Sequence, residues 1–355
     1  MSDPRAALAE KFRVQAIGCR GLGSPLWAAM CDRLAEEADR GGPIFELLEP
    51  YASTPFGEAY SLRVLGGAHR MALAGDTPEL ARHLPSTGGD ADADAAWVAL
   101  SALVADPPPA LLDALLRPPQ TNEAGRSASL VGGFLLVAEE TQLPLRVLEI
   151  GTSAGLNLRF DRFRYEQGDA GFGPRDSRLR FTDLWRDAEP PFGAPLTVAE
   201  RRGCDVDPID VTTIGGRLTL LSYVWPDQLE RFARTDDAIA IAAGTPAPID
   251  RANAPEWLAS RLAESAEGQA TVVFHSVMWQ YLSDDTRNAI RQVLRDAGER
   301  ATDRAPLAWL RLEPDDDDFV YPRLRLTTWP GAQERLLANC SWHLGPVEWL
   351  MPRAS

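Results

Sequence analysis

Lysine is all but missing from this chain: Lys11 is the single lysine among 36 basic residues, a skew to which no chemistry is assigned. Cysteine is sparse as well, and Cys19, Cys31, Cys204 and Cys340 stand far apart without a C-x-x-C pair. With only four histidines beside them, the ligand spacing of a metal site is absent, so no metal and free thiols in a reducing compartment are expected. Positive charge is outweighed: the net charge is −15 and the sequence pI about 4.8, which repels phosphate backbones and anionic lipid. A nucleic-acid partner is therefore disfavoured. No apolar run approaches a membrane span; the longest lies near residues 130–138, and residues 1–12 are charged, without a signal-like apolar stretch. The expectation is a cytoplasmic protein with no membrane partner. Disorder is excluded by the 45% apolar content, and 355 residues suit about two domains, each with its own core.

Period-two alternation is nearly absent before residue 142, where residues 25–38, 79–84, 95–103 and 109–116 carry apolar positions at helical spacing. Breaks at Gly41-Gly42-Pro43, Gly88-Gly89-Asp90 and Pro107-Pro108-Pro109 separate short helices. The apolar stretch 129–138 predicts a helix packed on a sheet. Beyond Pro144 short aliphatic strands alternate with helical stretches, the texture of a parallel α/β sheet. Strands are predicted at 146–150, 197–204, 271–275, 307–312, 324–329 and 347–350, and helices at 226–243, 255–263 and 284–298. The acidic run from Asp315 to Asp318 reads as a solvated loop, whose place after a strand leaves a metal or substrate role open.

The segment Glu149-Ile150-Gly151-Thr152-Ser153-Ala154-Gly155-Leu156-Asn157 follows an apolar strand and predicts a sharp turn opening a helix. Glycines there bring a ligand against bare amides at the positive end of the new helix, which favours a nucleotide or its analogue. An acidic residue followed by G-x-G-x-G is the methyltransferase pattern, and here Ser153 stands for the middle glycine. The same residues spell G-x-S-x-G, the nucleophile elbow of a serine hydrolase, with Asp205 or Asp250 and His275 or His343 to complete a triad. Chain position opposes that reading, because an elbow follows several strands and an oxyanion loop, whereas this strand starts the sheet.

Asp205 ends the next strand, where an acid accepts ribose hydroxyls, although it lies about fifty residues past Gly155 rather than the usual ~20. The insertion this requires is placed at residues 163–195, as a hairpin or flap. Asn253, before the helix at 255–263, is the candidate reader of an adenine amino group. His275 ends a central strand and is expected to face the ligand crevice.

The strings VLEIGTSAGLNLRFDRFRY, RRGCDVDPIDV, LLSYVWPDQLERF, VVFHSVMWQYL and APLAWLRLEP, with QTNEAGRS and LGGAHRMALAG upstream, cover most of residues 64–349. They resemble the bacterial family called domain of unknown function 2332, whose members carry methyltransferase-like cores without an assigned reaction. The resemblance implies an α/β fold with a Rossmann-like methyltransferase sheet, mostly parallel with an antiparallel C-terminal hairpin, behind an N-terminal helical cap domain. Domains are set at 1–142 and 143–355. The implied cofactor is S-adenosylmethionine, held by Glu149, Gly151, Ser153, Gly155, Asn157, Asp205 and Asn253. Asn122, Arg126, Trp279 and Tyr281 would bind a small-molecule substrate, and His275 would take a proton from an alcohol or acid acceptor. A hydrolase built on Ser153 and a non-catalytic nucleotide-fold binding module are the alternatives.

Overall fold

A computed structural model describes residues 3–315 and 318–352. Twelve helices are seen among them: α1 Pro4–Gly21, α2 Pro25–Arg40, α3 Pro43–Leu48, α4 Tyr60–Ala74, α5 Pro78–Ala81, α6 Ala93–Ala105, α7 Pro109–Leu115, α8 Ser127–Thr141, α9 Ile214–Ser222, α10 Leu229–Gly244, α11 Ala254–Arg261 and α12 Asp284–Gly298. The strands are β1 Leu145–Ile150, β2 Arg164–Gln167, β3 Ala170–Phe172, β4 Arg180–Thr182, β5 Trp185–Arg186, β6 Val198–Asp205, β7 Ile249–Arg251, β8 Ala270–Ser276, β9 Leu307–Asp315, β10 Asp318–Trp329, β11 Gln333–Asn339 and β12 Val347–Trp349. No single helix among the described residues is long and apolar enough to cross a membrane.

Two compact units result, and their boundaries differ from the expected split at residue 142. One comprises Met1–Thr121 and Thr212–Asp236, the other Asn122–Val211 and Asp237–Ser355. In the helical unit, Asp3 and Ser24 cap α1 and α2 with Pro4 and Pro25 at the first helical position, where a missing N–H costs nothing. The later segment belongs here because its side chains complete this core. Asp227 accepts from the Leu26 N–H at 2.8 Å, His69 Nδ1 meets the Ser222 carbonyl at 3.0 Å, and Trp225 is buried among α1–α7 residues. Cys19 and Cys31, on α1 and α2, are both buried in this core as free thiols.

The second unit is α/β. Its nine-stranded sheet runs β5-β12-β11-β10-β9-β8-β1-β6-β7, and the segment from β9 to β7 is wholly parallel. In chain order these five parallel strands lie third, second, first, fourth, fifth from one side, so the winding reverses between β1 and β8. β10 runs antiparallel between β9 and β11, and β12 pairs antiparallel with β11. β8 is buried at all seven positions and β1 at five of six, as strands covered on both faces must be. One face carries α8, whose Phe134 stacks on Phe160 at 3.9 Å and meets Phe274 edge-on at 5.1 Å. Gly132 and Gly133 permit that approach, since a Cβ on either would sit within 2.5 Å of Trp349 or Leu310. The other face is filled by Leu148, Val273, Trp309, Ile290 and Leu294 beneath α11 and α12. The insertion after β1 forms the small sheet β3-β2-β4 and lends β5 to the edge of the large one. No α-helix is found in the whole connection from β1 to β6.

Candidate functional site

The carboxyl ends of β1, β6, β8 and β9 converge where the winding reverses. Leaving β1, the chain adopts positive φ at Gly151 (64°), Ser153 (52°) and Gly155 (68°). Serine in that region is strained, and two backbone contacts of Ser153 hold it there: its N–H donates to Asp205 Oδ2 at 2.8 Å, and its carbonyl accepts from the Ile209 N–H at 3.2 Å. Asp205 also receives the Asp207 N–H at 2.9 Å, so the predicted ribose acid binds the turn itself. Asn122 Oδ1 takes the Leu156 N–H at 2.8 Å, and Thr152 and Gly155 spend their N–H groups on the carbonyls of Cys204 and Thr152. The amides expected to be bare are in large part engaged within the protein.

The expected helix after the turn is instead a short 3₁₀ stretch, Asn157–Arg162, kinked at Arg159. Arg159 explains the difference. It is buried, and its Nη1 donates to the carbonyls of Ala154 at 3.3 Å and Gly155 at 2.7 Å, while Nε reaches the Thr245 carbonyl at 3.0 Å. Burial pulls the guanidinium down to about 10. Asn157 is buried too; its Oδ1 accepts from Ser127 Oγ at 2.7 Å, and its Nδ2 has no partner among the described residues.

Glu149 lies beneath the turn, enclosed and accepting a hydrogen bond from Thr152 Oγ1. Burial raises its carboxyl to about 8, with Thr152 and the Arg159 charge opposing the shift and Asp205 adding to it. Met278, at the end of β8, closes over Gly151: a Cβ there would come within 2.9 Å of the thioether methyl.

His275 does not stand open to the crevice. It is fully buried, its Nδ1 is 2.6 Å from Glu313 Oε1, and Trp279 stacks on its ring with centroids 5.0 Å apart. The same carboxylate accepts the N–H groups of Met278 at 3.1 Å and Trp279 at 3.3 Å. Between these residues Val277 takes a φ of 51°, a rare conformation for a β-branched side chain. Arg126 donates to the Ser276 carbonyl at 3.1 Å and to the Trp342 carbonyl at 3.3 Å, tying the segment before α8 to the end of β8.

The scan against family models matches residues 9–349 to "Uncharacterized protein conserved in bacteria (DUF2332)". The chain belongs to the DUF2332 family. Neither the curated proteins nor the solved structures returned a match.

Of the residues the sequence singles out in this DUF2332 chain, Asn122, Arg126, Glu149, Gly151, Ser153, Gly155, Asn157, Asp205, His275 and Trp279 gather on these strand ends. Asn253 is exposed at the start of α11, with no side-chain cap bond, and Tyr281 projects outward at 67% exposure. Asp250 is not available to a triad: Arg202 holds it in a bidentate pair at 2.7 Å and Trp257 Nε1 donates to it, keeping the carboxyl down at about 2. Asp315 is paired with Arg323 and Arg325, while Asp316 and Asp317 of the acidic run lie outside the described residues. No three His, Cys, Asp or Glu side chains converge as a metal site would require among the described residues.

Sequence reasoning missed Arg159, Met278 and Glu313. Arg159 lies past the turn and Glu313 just beyond the strand predicted at 307–312, and neither is singled out. The signal for Glu313 was its parity: it shares a strand face with Trp309 and Arg311, and Arg311 is the register partner of His275. A cavity of about 360 Å³ lies at the other end of the strands, beside the first residues of β8 and β9 and against Trp329 and Pro330.

Proposed function

We propose that this protein binds S-adenosylmethionine at the β1 turn and transfers its methyl group to a small molecule. The observation that carries the reading is the turn at the winding reversal: Gly151, Ser153 and Gly155 bend the chain at the carboxyl end of the first parallel strand, and Asp205 from the second strand docks on it. Crevices at such reversals are where open α/β sheets take nucleotides, and the 3-2-1-4-5 order of the parallel strands is the doubly wound one. A cofactor bearing sulfonium and ammonium charge and ribose hydroxyls asks for acceptors more than for amides. Asp205, partly exposed, fits the ribose, while the positive φ of Gly151 and Gly155 makes the bend itself. Glu149, Ser153 and Asn157 support the turn from beneath, while Arg126 and Asn122 fix its neighbours. The cofactor supplies an activated methyl group; the chain has to orient the acceptor, exclude water and receive a proton.

One observation favours a second reading, a nucleotide-fold module without catalysis: the side chain of Met278 rests on Gly151, where the amino-acid end of the cofactor would lie. A hydrolase is supported less well, because the His275 Nδ1 belongs to Glu313 and its Nε2 has no partner among the described residues, so His275 is not the base of Ser153. Calorimetric titration with S-adenosylmethionine and S-adenosylhomocysteine decides. Micromolar binding is expected; no heat at millimolar ligand would leave the module reading in its place, and labelling of Ser153 by a fluorophosphonate would replace both.

A further inference from the structure

Among the described residues, every polar contact on the Glu313 carboxylate comes from a nitrogen: His275 Nδ1 at 2.6 Å, the Met278 N–H at 3.1 Å and the Trp279 N–H at 3.3 Å. The two amides can only donate, so the carboxylate acts as an acceptor throughout and Nδ1 must carry the ring proton. In the neutral ring that leaves Nε2 with its lone pair. Nε2 is buried without a partner among the described residues, an arrangement that proteins seldom keep without use. Two indoles pack on the imidazole ring: Trp279 is stacked on it at 12°, and the Trp309 centroid stands 5.9 Å away. Arg291 lies over Trp279 at 5.1 Å and Arg311 over Trp309 at 4.2 Å, so each indole has a guanidinium on it. Trp279 belongs to a three-residue turn, is only part-buried, and follows the strained Val277.

We propose that Glu313 is a positioning residue that fixes His275 as the Nδ1–H tautomer, so that Nε2 receives the proton of a hydroxyl-bearing acceptor admitted when Trp279 moves off the ring. This rests on the methyl-transfer reading and gives it a substrate class, an alcohol, phenol or carboxylic acid. In the step, the acceptor's O–H bond breaks, its electron pair stays on oxygen, and the proton forms the Nε2–H bond. The resulting imidazolium faces the Glu313 carboxylate, which balances its charge.

The chain holds only four imidazoles, His69, His83, His275 and His343, so nitrogen NMR of histidine-labelled full-length protein can resolve each one. Expected for His275 is a protonated Nδ1 and a bare Nε2, retained in Glu313→Gln, whose amide oxygen still accepts, and replaced by the other tautomer or a mixture in Glu313→Met. A wild-type Nε2–H tautomer, or a Glu313→Met spectrum identical to wild type, overturns the assignment. Access is read with diethyl pyrocarbonate. His275 should go from unmodified in the wild type to modified at Nε2 in Trp279→Ala, and a His275 that stays unmodified there sinks the placement of the acceptor. Both measurements are made without cofactor. A failed S-adenosylmethionine titration would remove methyl transfer and leave the tautomer standing; a wrong tautomer would do the reverse.

Discussion

Glu149 turns burial into a measurable pH dependence. Its carboxyl is held at about 8 against an ordinary 4.5, chiefly because enclosure disfavours the charged form. The folded state therefore keeps a proton that the unfolded chain releases near 4.5, and between these values the native protein binds more protons than the unfolded one. Stability contributed by the neutral carboxyl is full below about 4.5 and falls as the pH rises toward 8, the reverse of an ion-paired acid. At about 1.4 kcal/mol per pH unit, the gap amounts to roughly 5 kcal/mol as a ceiling, reached above about pH 8. Glu149→Gln cannot ionise, and its amide oxygen can still accept from Thr152 Oγ1. Guanidinium unfolding of the two proteins, followed by tryptophan fluorescence from about pH 5 to about pH 9, should show little difference, or a slight deficit for the variant, at the acid end. The variant should then gain by several kcal/mol at the alkaline end. A difference that stays constant across the range would refute the claim that Glu149 is neutral in the folded protein.

Three further outcomes are expected. Met278→Ala clears the space over Gly151 and should tighten S-adenosylhomocysteine binding by calorimetry; unchanged or weaker affinity would show that Met278 does not compete for that place. Gly155→Ala forces a side chain onto a φ of 68° and to within 2.7 Å of Arg159 Nη1, so it should lower the unfolding free energy by about 2 kcal/mol in denaturant melts. Asp250 is held at about 2 by Arg202 and Trp257, so its contribution is present above about 3.8 and is lost as the pH falls toward 2. Asp250→Asn should flatten acid unfolding in that window, and parallel acid curves for the two proteins would count against it.

The parallel strands were legible because burial on both faces leaves unbroken aliphatic runs: VLEI in β1 and TVVFH in β8 can hardly sit elsewhere. Helix starts were legible wherever a capping residue precedes proline or acids, as at Ser24-Pro25 and Ser283-Asp284-Asp285. α4 is absent from the predicted helices, and its Gly66-Gly67 pair is unfavourable to helix on local propensity. In the folded unit these glycines serve close packing, a Cβ on Gly66 meeting the Tyr223 ring at 2.6 Å and one on Gly67 meeting Ala114 at 2.7 Å. β11 was missed because QERLLAN buries only Leu337 and Ala338, too little for a strand pattern. At the site, the turn was visible in its glycines, but its supports were not. Arg159 and Glu313 are charged residues whose burial depends on carbonyls and amides brought in by other segments, and no local pattern encodes such partners.

Both functional readings of G-x-S-x-G meet in one backbone fact, a serine held at positive φ at the end of β1. A nucleophile elbow and a nucleotide turn each need that bend, so Ser153 itself cannot choose between them. The choice falls to the imidazole. A hydrolase would aim a base nitrogen at the serine hydroxyl and back the other with an acid; here the acid half exists, as Glu313 on Nδ1, while Nε2 is buried with no partner among the described residues. On the proposed reading, this acid-backed imidazole accepts a proton from something brought from outside. With the turn and its β6 carboxylate assigned to the cofactor on the same reading, the labour is divided as methyl transfer to an incoming hydroxyl requires.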